Sequence, residues 1–528
     1  MTDISKIQEF IDSHVNKVKT LSKEANQTYY NAITTGNKEF YDKYEKLALQ
    51  IEKIYHNKKD FEKVKSFYNQ EITDPSIKRQ IKILYHGYLG SQGDIKLIKK
   101  IIKLSSKIEK KFNTYRAKIK GKAHTDNEIK DILKKETNSK ILEKAWSSSK
   151  KQATVVVKDL LVLIKLRNEL AKSLGFPNYY VMSLQLSDQD EKVIKNLYEE
   201  LDELTKAPFE NLKLDIDSIL KEKYKVDILK PWHYNDLFFQ EAPTIYKIDL
   251  DKYYKNQDVL KIAQDFYKNL DLPIDDVLEK SDLYEKENKY QHACCMDIDR
   301  EGDVRIVQSV KNNEHWMDTT LHELGHAAYD KYINKQLPYI LRDAAHIFTT
   351  EAIALLFGRF STNPDLIEHY CNISLDEKKE ISETLSKIIK LQKLVFSRWS
   401  QVMVNFERNL YENPDQDLNK LWWDLVKKYQ LIDFYRDSPD WASKIHIASS
   451  PVYYHNYLLG DLLSSQLKNY INKNILEDEK SSWLNNKKVG NYLKDKVFSV
   501  GKYYEWNEMI AKATNEPLTP KYFAIEFC

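Results

Sequence analysis

The chain has 528 residues, of which 42% are apolar and 30% charged, a globular composition rather than a disordered one. Its 82 basic and 79 acidic side chains give a net charge of only +3, which excludes a polycationic nucleic-acid binder, and no apolar run approaches the roughly 20 residues that a membrane helix needs. Gly and Pro number 12 and 13, so few that long helices are expected and sandwich and barrel folds are disfavoured.

The first 150 residues are rich in Lys and helical in pattern, and they begin without the basic-then-apolar segment of a signal peptide. Between Asp94 and Lys122, apolar residues recur mostly at steps of three, four and seven, which predicts one long amphipathic helix. The apolar face comprises Ile98, Ile101, Ile102, Ile108, Phe112, Tyr115 and Ile119. The Lys-rich opposite face is interpreted as solvated helix surface, with a basic surface for an acidic partner as the alternative.

Helical periodicity continues from residue 151 to residue 230, with one break at Gly175–Asn178. Pro231 and Pro243 then bracket an irregular stretch. The next helix is predicted over Asp258–Asn269, and Leu272-Pro273 ends it.

After this helix the hydrophobic period changes to two. A short apolar run, Gln291–Met296, and an alternating run, Val304–Ser309, flank a turn at Arg300–Asp303, which predicts a β-hairpin. From Trp316 to the end of the chain the pattern is helical again.

Cysteine usage indicates a reducing compartment. Four cysteines in 528 residues are too few for a disulfide scaffold, and the neighbours Cys294 and Cys295 do not suit an ordinary bridge to each other. Together with the first residues of the chain, this predicts a cytoplasmic protein.

The decisive segment is the helix that contains His322-Glu323-x-x-His326, the signature of zinc peptidases. Residues at i and i+4 lie one above the other on a helix, so both imidazoles can bind one ion. Glu323 lies about 100° round the helix, where its carboxylate can reach a metal-bound water. Gly325 costs the helix about 1 kcal/mol against Ala, which indicates a packing reason for it. The alternative is two ordinary histidines on a core-facing helix.

A zinc site of this kind needs a third protein ligand and an open fourth position. Glu351 is the best candidate, because it is a carboxylate in the otherwise apolar segment Phe348–Leu356, 25 residues after His326. Burial there would be costly for a carboxylate that is neither paired nor bound to a metal. The alternative is an acidic residue near a helix N-terminus that the helix dipole stabilises.

The ordered motifs resemble those of the angiotensin-converting-enzyme family of peptidyl-dipeptidases and, more distantly, those of the oligoendopeptidase F and thimet oligopeptidase group. The resemblance spans roughly residues 264 to 467. Its motifs are Asp265-Phe266-Tyr267, Leu272-Pro273, Gln291-His292-Ala293, Asp303–Ile306, His322–His326, Leu337-Pro338, Leu341-Arg342, Glu351–Ile353, Leu421–Trp423, Lys427–Gln430 and Lys444–Ile447. So many matches in the same order exclude a chance resemblance.

The resemblance implies a role for each matching residue. His322, His326 and Glu351 are implied to bind one Zn²⁺, and Glu323 to act as general base and acid. His446 is implied to support the scissile-region carbonyl and Tyr457 to stabilise the oxyanion. The implied substrate-binding residues are His292 and Ala293 for the peptide backbone, Lys444 and Gln240 for the C-terminal carboxylate, and Tyr453 or Tyr454 for a second tyrosine role.

The chain also departs from the family pattern. Gln291 and Ser309 occupy the positions of a disulfide that secreted members carry, which agrees with a cytoplasmic location. Asn456 stands where converting enzymes place a chloride-binding Arg. Leu355 replaces an Asp that orients the ligands, so another group must orient them. The segment Pro451–Gly460 is closer in shape to the oligoendopeptidase pattern.

The sequence therefore predicts a large, mostly α-helical gluzincin metallopeptidase, with two lobes, a deep central cleft and a small β-hairpin beside the zinc-binding helix. Residues 1–230 are expected to form a helical region that supplies the lid and the first lobe. Residues 231–528 are expected to form the zinc metallopeptidase region of one continuous catalytic unit.

The expected activity is zinc-dependent release of C-terminal dipeptides from short unfolded peptides by a Glu-activated water. Lys444 favours this mode, because an exopeptidase needs an anchor for the terminal carboxylate. An oligoendopeptidase that cuts within short peptides is one alternative, and a catalytically silent peptide-binding homologue is another. Neither a nucleic acid nor a membrane is an expected partner, and the sequence leaves the oligomeric state open.

Overall fold

Helices dominate the structure, a computed structural model that describes residues 4–478 and 482–528. This confirms the prediction of a mostly α-helical fold. The prediction about a signal segment rests in part on residues 1–3, which lie outside the described residues. Among the helices of the described ranges, none has the length and apolarity that crossing a membrane requires.

The helices are, in chain order, α1 Ile4–Thr35, α2 Lys38–Tyr55, α3 Lys58–Tyr68, α4 Pro75–Gly90, α5 Ile95–Thr114, α6 Asp126–Lys135, α7 Ser139–Lys150, α8 Gln152–Ser173, α9 Tyr179–Leu186, α10 Glu191–Tyr224, α11 Asp251–Tyr254, α12 Val259–Asn269, α13 Asp275–Lys280, α14 Glu314–Tyr332, α15 Ile347–Gly358, α16 Pro364–Cys371, α17 Leu375–Glu412, α18 Leu418–Gln430, α19 His446–Ser449, α20 His455–Tyr470, α21 Lys487–Leu493, α22 Trp506–Thr514 and α23 Lys521–Phe527. The break predicted at residues 175–178 lies between α8 and α9, and the irregular stretch at 231–243 lies between α10 and α11.

Two antiparallel hairpins accompany the helices. Strand β1 (Ala117–Ile119) pairs with β2 (Lys122–His124), and β3 (Cys294–Asp297) pairs with β4 (Val304–Val307). The β3–β4 hairpin is the one that the alternating pattern predicts.

The prediction of one helix from Asp94 to Lys122 is wrong at its C-terminal end. Helix α5 ends at Thr114 and the β1–β2 hairpin follows, with Lys120 and Gly121 in its turn at φ values of 50° and 82°. Positive φ at both central residues is the conformation of a type I′ hairpin turn, which a right-handed helix does not provide. Ile119 therefore lies in a strand, and Ile102 is 59% exposed rather than part of a buried face.

Contacts group the chain into two compact units. Unit 1 comprises Met1–Gln92, Ile248–Glu383 and Leu459–Tyr522, and unit 2 comprises Gly93–Lys247, Thr384–Leu458 and Phe523–Cys528. Each unit takes segments from both sides of residue 230, and the predicted division of the sequence there stays a prediction.

In unit 1, α14 is the central helix and packs along α15, with α12 and the β3–β4 hairpin also against it. Asn313 caps its N-terminus by accepting a hydrogen bond from the backbone N–H of Trp316. Gly325 faces α15, where an added Cβ would lie 2.8 Å from Ala354 Cα. This close approach is the packing reason for the glycine within the helix.

In unit 2, α8 packs against α5 and against the 3-10 turn at residues 440–443. The buried guanidinium of Arg167 on α8 donates to the carbonyl oxygens of Ile447 at 2.8 Å and Ala448 at 2.6 Å. Those hydrogen bonds fix the position of the short helix α19, which begins at His446. The backbone that carries His446, a candidate functional residue, is therefore held in place by buried charge-assisted hydrogen bonds.

Candidate metal centre and substrate-binding residues

Helices α14 and α15 bring the three candidate ligands together. His322 and His326 lie one turn apart on α14, and Glu351 lies on α15. One potential ligand atom from each residue lies within 4.8 Å of the others. Oε1 of Glu351 lies 3.8 Å from Nε2 of His322, and Oε2 of Glu351 lies 3.5 Å from Nε2 of His326.

This geometry fits a Zn²⁺ ion. Bonds of about 2.0–2.2 Å in a tetrahedron place the ligand atoms roughly 3.4 Å apart, close to the distances between these side chains. Two imidazole nitrogens and one carboxylate oxygen are also the donor set of catalytic zinc sites, which keep a fourth position open. The residues of α14 and α15 can therefore hold zinc without a change of fold.

Electrostatics favour the forms of these side chains that metal binding and proton transfer require. Burial, followed by the nearby His322, lowers the pKa of His326 to about 3, so its imidazole is neutral and has a nitrogen lone pair to offer. Burial, followed by Glu351, raises the pKa of Glu323 to about 8. A carboxyl group with a raised pKa can accept and return a proton near neutral pH.

Thr350 orients one of the ligands. Its Oγ1 atom lies 2.8 Å from Nδ1 of His326, which leaves Nε2 of that ring for a metal. Sequence reasoning expected some orienting group in place of the Asp that Leu355 replaces, but it did not identify Thr350. The available signal was a hydroxyl residue directly before the candidate carboxylate in an apolar helix.

Glycines also let other elements approach the ligands closely. A Cβ added to Gly358 would lie 2.8 Å from Oδ1 of Asp318 and 3.5 Å from Cβ of His322. A Cβ added to Gly460 would lie 3.3 Å from Cγ of Glu351. The backbone at Gly358 and Gly460 can therefore lie close to His322 and Glu351, because neither glycine has a side chain that would fill the space.

His292 and Ala293 lie directly before β3, the strand that packs against α14. The thiol of Cys294, the first residue of β3, has its pKa raised to about 11 by burial and, second, by Glu323. The beginning of this strand is therefore close enough to Glu323 for their charges to interact. In unit 1 the structure thus brings the predicted backbone-binding segment near the predicted general base.

Unit 2 brings the predicted carboxylate-binding residues together. Lys444 is buried, with its Nζ donating to Oε1 of Gln240. The rings of Phe238, Trp399 and Tyr454 surround this ammonium, with centroids 5.1–5.4 Å from it. Burial lowers the pKa of Lys444 to about 8.

The predicted histidine and tyrosines form one cluster beside Lys444. The ring centroid of His446 lies 5.2 Å from that of Tyr454, and Tyr457 lies within 5.4 Å of both Tyr453 and Tyr454. Burial, with Lys444 as the second cause, lowers the pKa of His446 to about 4 and keeps its imidazole neutral. The ring centroid of Tyr454, one of the two competing tyrosines, lies 5.2 Å from the ammonium of Lys444.

Asn456, which the resemblance aligns with the chloride-binding Arg of converting enzymes, is buried in unit 2. Its Oδ1 atom accepts a hydrogen bond from Nε2 of Gln189 at 2.9 Å. The polar group at this position is therefore an uncharged amide that is paired with another amide.

The helix pair with its two histidines and one glutamate defines a zinc metallopeptidase. The family model for angiotensin-converting enzyme matches residues 1–231 and 240–521, and the chain belongs to this family. Among curated proteins it is similar to an angiotensin-converting enzyme from Theromyzon tessulatum, with 22% identity over 443 residues that cover 76% of this chain and 70% of that protein. The family match includes the N-terminal 230 residues, in which the sequence motifs alone show no resemblance.

Proposed function

We propose that this zinc metallopeptidase removes dipeptides from the C-termini of short unfolded peptides. The observation that supports this mode is the pairing of Lys444 with Gln240. Because the ammonium donates to Oε1 of Gln240, the Nε2 group of that amide is directed elsewhere as a second donor. An ammonium and an amide side by side suit the two oxygens of a terminal carboxylate.

The proposed chemistry needs one Zn²⁺ per chain, held by His322, His326 and Glu351. When bound, the ion supplies Lewis acidity for the scissile carbonyl and makes water a stronger acid. Glu323 then accepts the proton of the attacking water and passes it to the leaving amine. Its raised pKa supports this role, since a carboxyl group must hold the proton between the two transfers.

His446 and Tyr457 are proposed to stabilise the oxyanion. Both are neutral hydrogen-bond donors in character, and a donor of this type contributes about 3 kcal/mol to the transition state of acyl transfer. His292 and Ala293 are proposed to hydrogen-bond the peptide backbone, because they directly precede β3. Tyr454 is proposed as the second tyrosine of the site, supported by its contact with Lys444.

A cytoplasmic location is part of the proposal. Cys294, Cys295, Cys371 and Cys528 are all present as free thiols, which supports a reducing compartment.

The test is mass spectrometry of the products of one peptide in two forms, with a free and with an amidated C-terminus. We expect stepwise loss of dipeptides from the free form alone, and no cleavage by Glu323→Gln, which keeps the zinc ligands. Lys444→Met is the matched variant for the anchor and should raise KM for the free form.

Equal internal cleavage of both forms would reject the dipeptidase mode and select an oligoendopeptidase. Zinc binding without cleavage of either form would select a silent peptide-binding protein.

A further inference from the structure

A pocket in unit 1 lies between helices α1, α2 and α4 and the turn of the β3–β4 hairpin. Its volume is about 270 Å³. The described residues that line it do not include the candidate zinc ligands or Glu323. This volume is close to the lower end of the range of pockets that hold small organic molecules, and it exceeds what a single ion needs.

One end of the pocket carries an unequal set of charges. Arg300 and Lys502 donate to the same oxygen, Oδ2 of Asp343, at 3.1 Å and 2.9 Å. The other oxygen of Asp343 accepts from the backbone N–H of Ala344. Among the residues that line the pocket, two cations thus share one carboxylate, and the carboxyl of Asp297 lies close enough to Arg300 to interact with it from outside the lining.

Both cations have donors left for a ligand. An arginine carries five N–H donors and a lysine three, and Asp343 is the acceptor that each side chain reaches among the described residues. The side chains of Arg300 and Lys502 are 35% and 28% exposed, so the pocket gives access to them. Arg300 also lies over the ring of Tyr339, which holds the guanidinium at one wall.

Apolar side chains form part of the walls beyond this charged end, beside the polar Ser22 and Asn26. The apolar side chains include Val15 and Val18 of α1, Ile51 of α2, Leu84 of α4, and Ile340. A ligand with an apolar body would gain by covering these side chains.

The remaining polar lining adds no net charge. His14 is buried with its two ring nitrogens 3.0 Å and 3.3 Å from the hydroxyls of Tyr88 and Tyr55. Burial lowers the pKa of His14 to about 4, so the ring is neutral. The nearby Lys19 is paired with Glu301 at 2.6 Å. The cationic groups that line the pocket are therefore Arg300 and Lys502.

We propose that this pocket binds a small monocarboxylate with an apolar body, with the carboxylate at Arg300 and Lys502 and the body against α1, α2 and α4. The donors that Arg300 and Lys502 do not use on Asp343 suit the two oxygens of a carboxylate. A planar carboxylate also matches the fork of a guanidinium. The bound molecule connects the N-terminal helices to the hairpin that packs against α14.

The test is calorimetric titration of the full-length, zinc-loaded protein with 3-phenylpropionate, with its uncharged amide and with acetate. We expect saturable binding of 3-phenylpropionate, at least about tenfold tighter than that of the amide, because a charge-assisted pair is lost in the amide. Acetate should bind more weakly than 3-phenylpropionate, because it lacks the apolar body. The melting temperature should rise with 3-phenylpropionate.

Variants identify the site. Arg300→Gln and Lys502→Met should each weaken binding at least about tenfold. Arg342→Gln is the matched control, since this arginine pairs with Glu301 outside the pocket and should bind as the wild type does. Circular dichroism of each variant shows whether it is folded. If Arg300→Gln is unfolded, Lys502→Met still tests whether the carboxylate binds in this pocket.

Lys444→Met and removal of zinc by a chelator separate this pocket from the proposed peptide site, and neither should change the binding. Equal affinity for the carboxylate and the amide would overturn the proposal. So would equal affinity for acetate and 3-phenylpropionate, wild-type binding by both pocket variants, loss of binding with Lys444→Met or without zinc, or no saturable binding at millimolar concentrations.

Discussion

The glycine between the two metal-binding helices offers a sharp test of the site. Gly325→Ala adds one methyl group to α14 on the side that faces α15. That Cβ would lie 2.8 Å from Ala354 Cα, 3.2 Å from Ala354 N and 3.2 Å from the carbonyl oxygen of Ile353. All three atoms are backbone, so rotation of a side chain cannot relieve the contact.

The size of the effect follows from these distances. Carbon atoms in contact are ordinarily about 3.5–4.0 Å apart, so the helices must separate by roughly 0.7–1.2 Å at this point. Overpacking of this kind costs about 1–3 kcal/mol, of which the better helix propensity of Ala offsets about 1 kcal/mol. The expected loss of folding free energy is therefore small, at about 0–2 kcal/mol.

Zinc binding should suffer more than folding. Glu351 lies on α15 while His322 and His326 lie on α14, so separation of the helices lengthens the distances within the ligand set. Metal–ligand distances tolerate only about 0.2 Å, and disturbed support of ligands weakens metal affinity about 10- to 100-fold. We expect a loss of this size in zinc affinity, measured by chelator competition, with a fall in peptidase activity at limiting zinc.

Gly87→Ala on α4 is the matched control. Its added Cβ would meet the ring of Tyr55 at 3.0 Å, and a side chain can shift where backbone cannot. This variant should keep its zinc affinity. Wild-type zinc affinity in a folded Gly325→Ala protein would refute the reasoning that this glycine sets the distance between the ligand-bearing helices.

Other parts of the molecule give three further tests. Thr350→Val removes the hydroxyl that bonds Nδ1 of His326 and should weaken zinc affinity about 10- to 100-fold in chelator competition, and an unchanged affinity would contradict its orienting role. Burial lowers the pKa of Lys444 to about 8, so KM for a peptide with a free C-terminus should rise above this pH, and an equal rise for the amidated peptide would contradict an anchoring role. Burial raises the pKa of Glu407 from 4.5 to about 7, so the folded state keeps a proton that the unfolded state loses, and stability falls as the pH rises through this interval. Glu407→Gln, which can still accept the hydrogen bond from the backbone N–H of Val452, should therefore raise the Tm well above pH 7 and leave it nearly unchanged near pH 4.

The metal centre could be predicted from the sequence because the features that indicate it are local. The spacing of His322 and His326 requires only that one segment be helical, and a carboxylate in an apolar helix signals burial wherever that helix packs. Both inferences use residues close in sequence, and the structure places all three side chains within reach of one ion. The β3–β4 hairpin follows for the same reason, because alternation and a turn are local features.

Local patterns fail where two conformations share one pattern. The apolar residues from Ile98 to Ile119 fit a helical face throughout, yet positive φ at Lys120 and Gly121 ends that regularity in a two-residue turn. A lone glycine near the end of a periodic segment does not show how many residues before it have already left the helix. The element boundary therefore depends on the pairing of β1 with β2, which periodicity does not encode.

The hydroxyl of Thr350 could not be predicted from periodicity, although the ligands that it supports could. Thr350 contacts His326 across two helices that are joined by a connection of 14 residues, so the hydrogen bond depends on how α14 and α15 are rotated about their axes. That rotation is set by the close approach at Gly325 and by the residues that face each other there. Because the same contact places Glu351, the third ligand and the orienting group arise from one packing arrangement. The chemistry of Glu351 identifies it as a ligand from the sequence alone, whereas the role of Thr350 can be recognised only once the packing of the two helices is known.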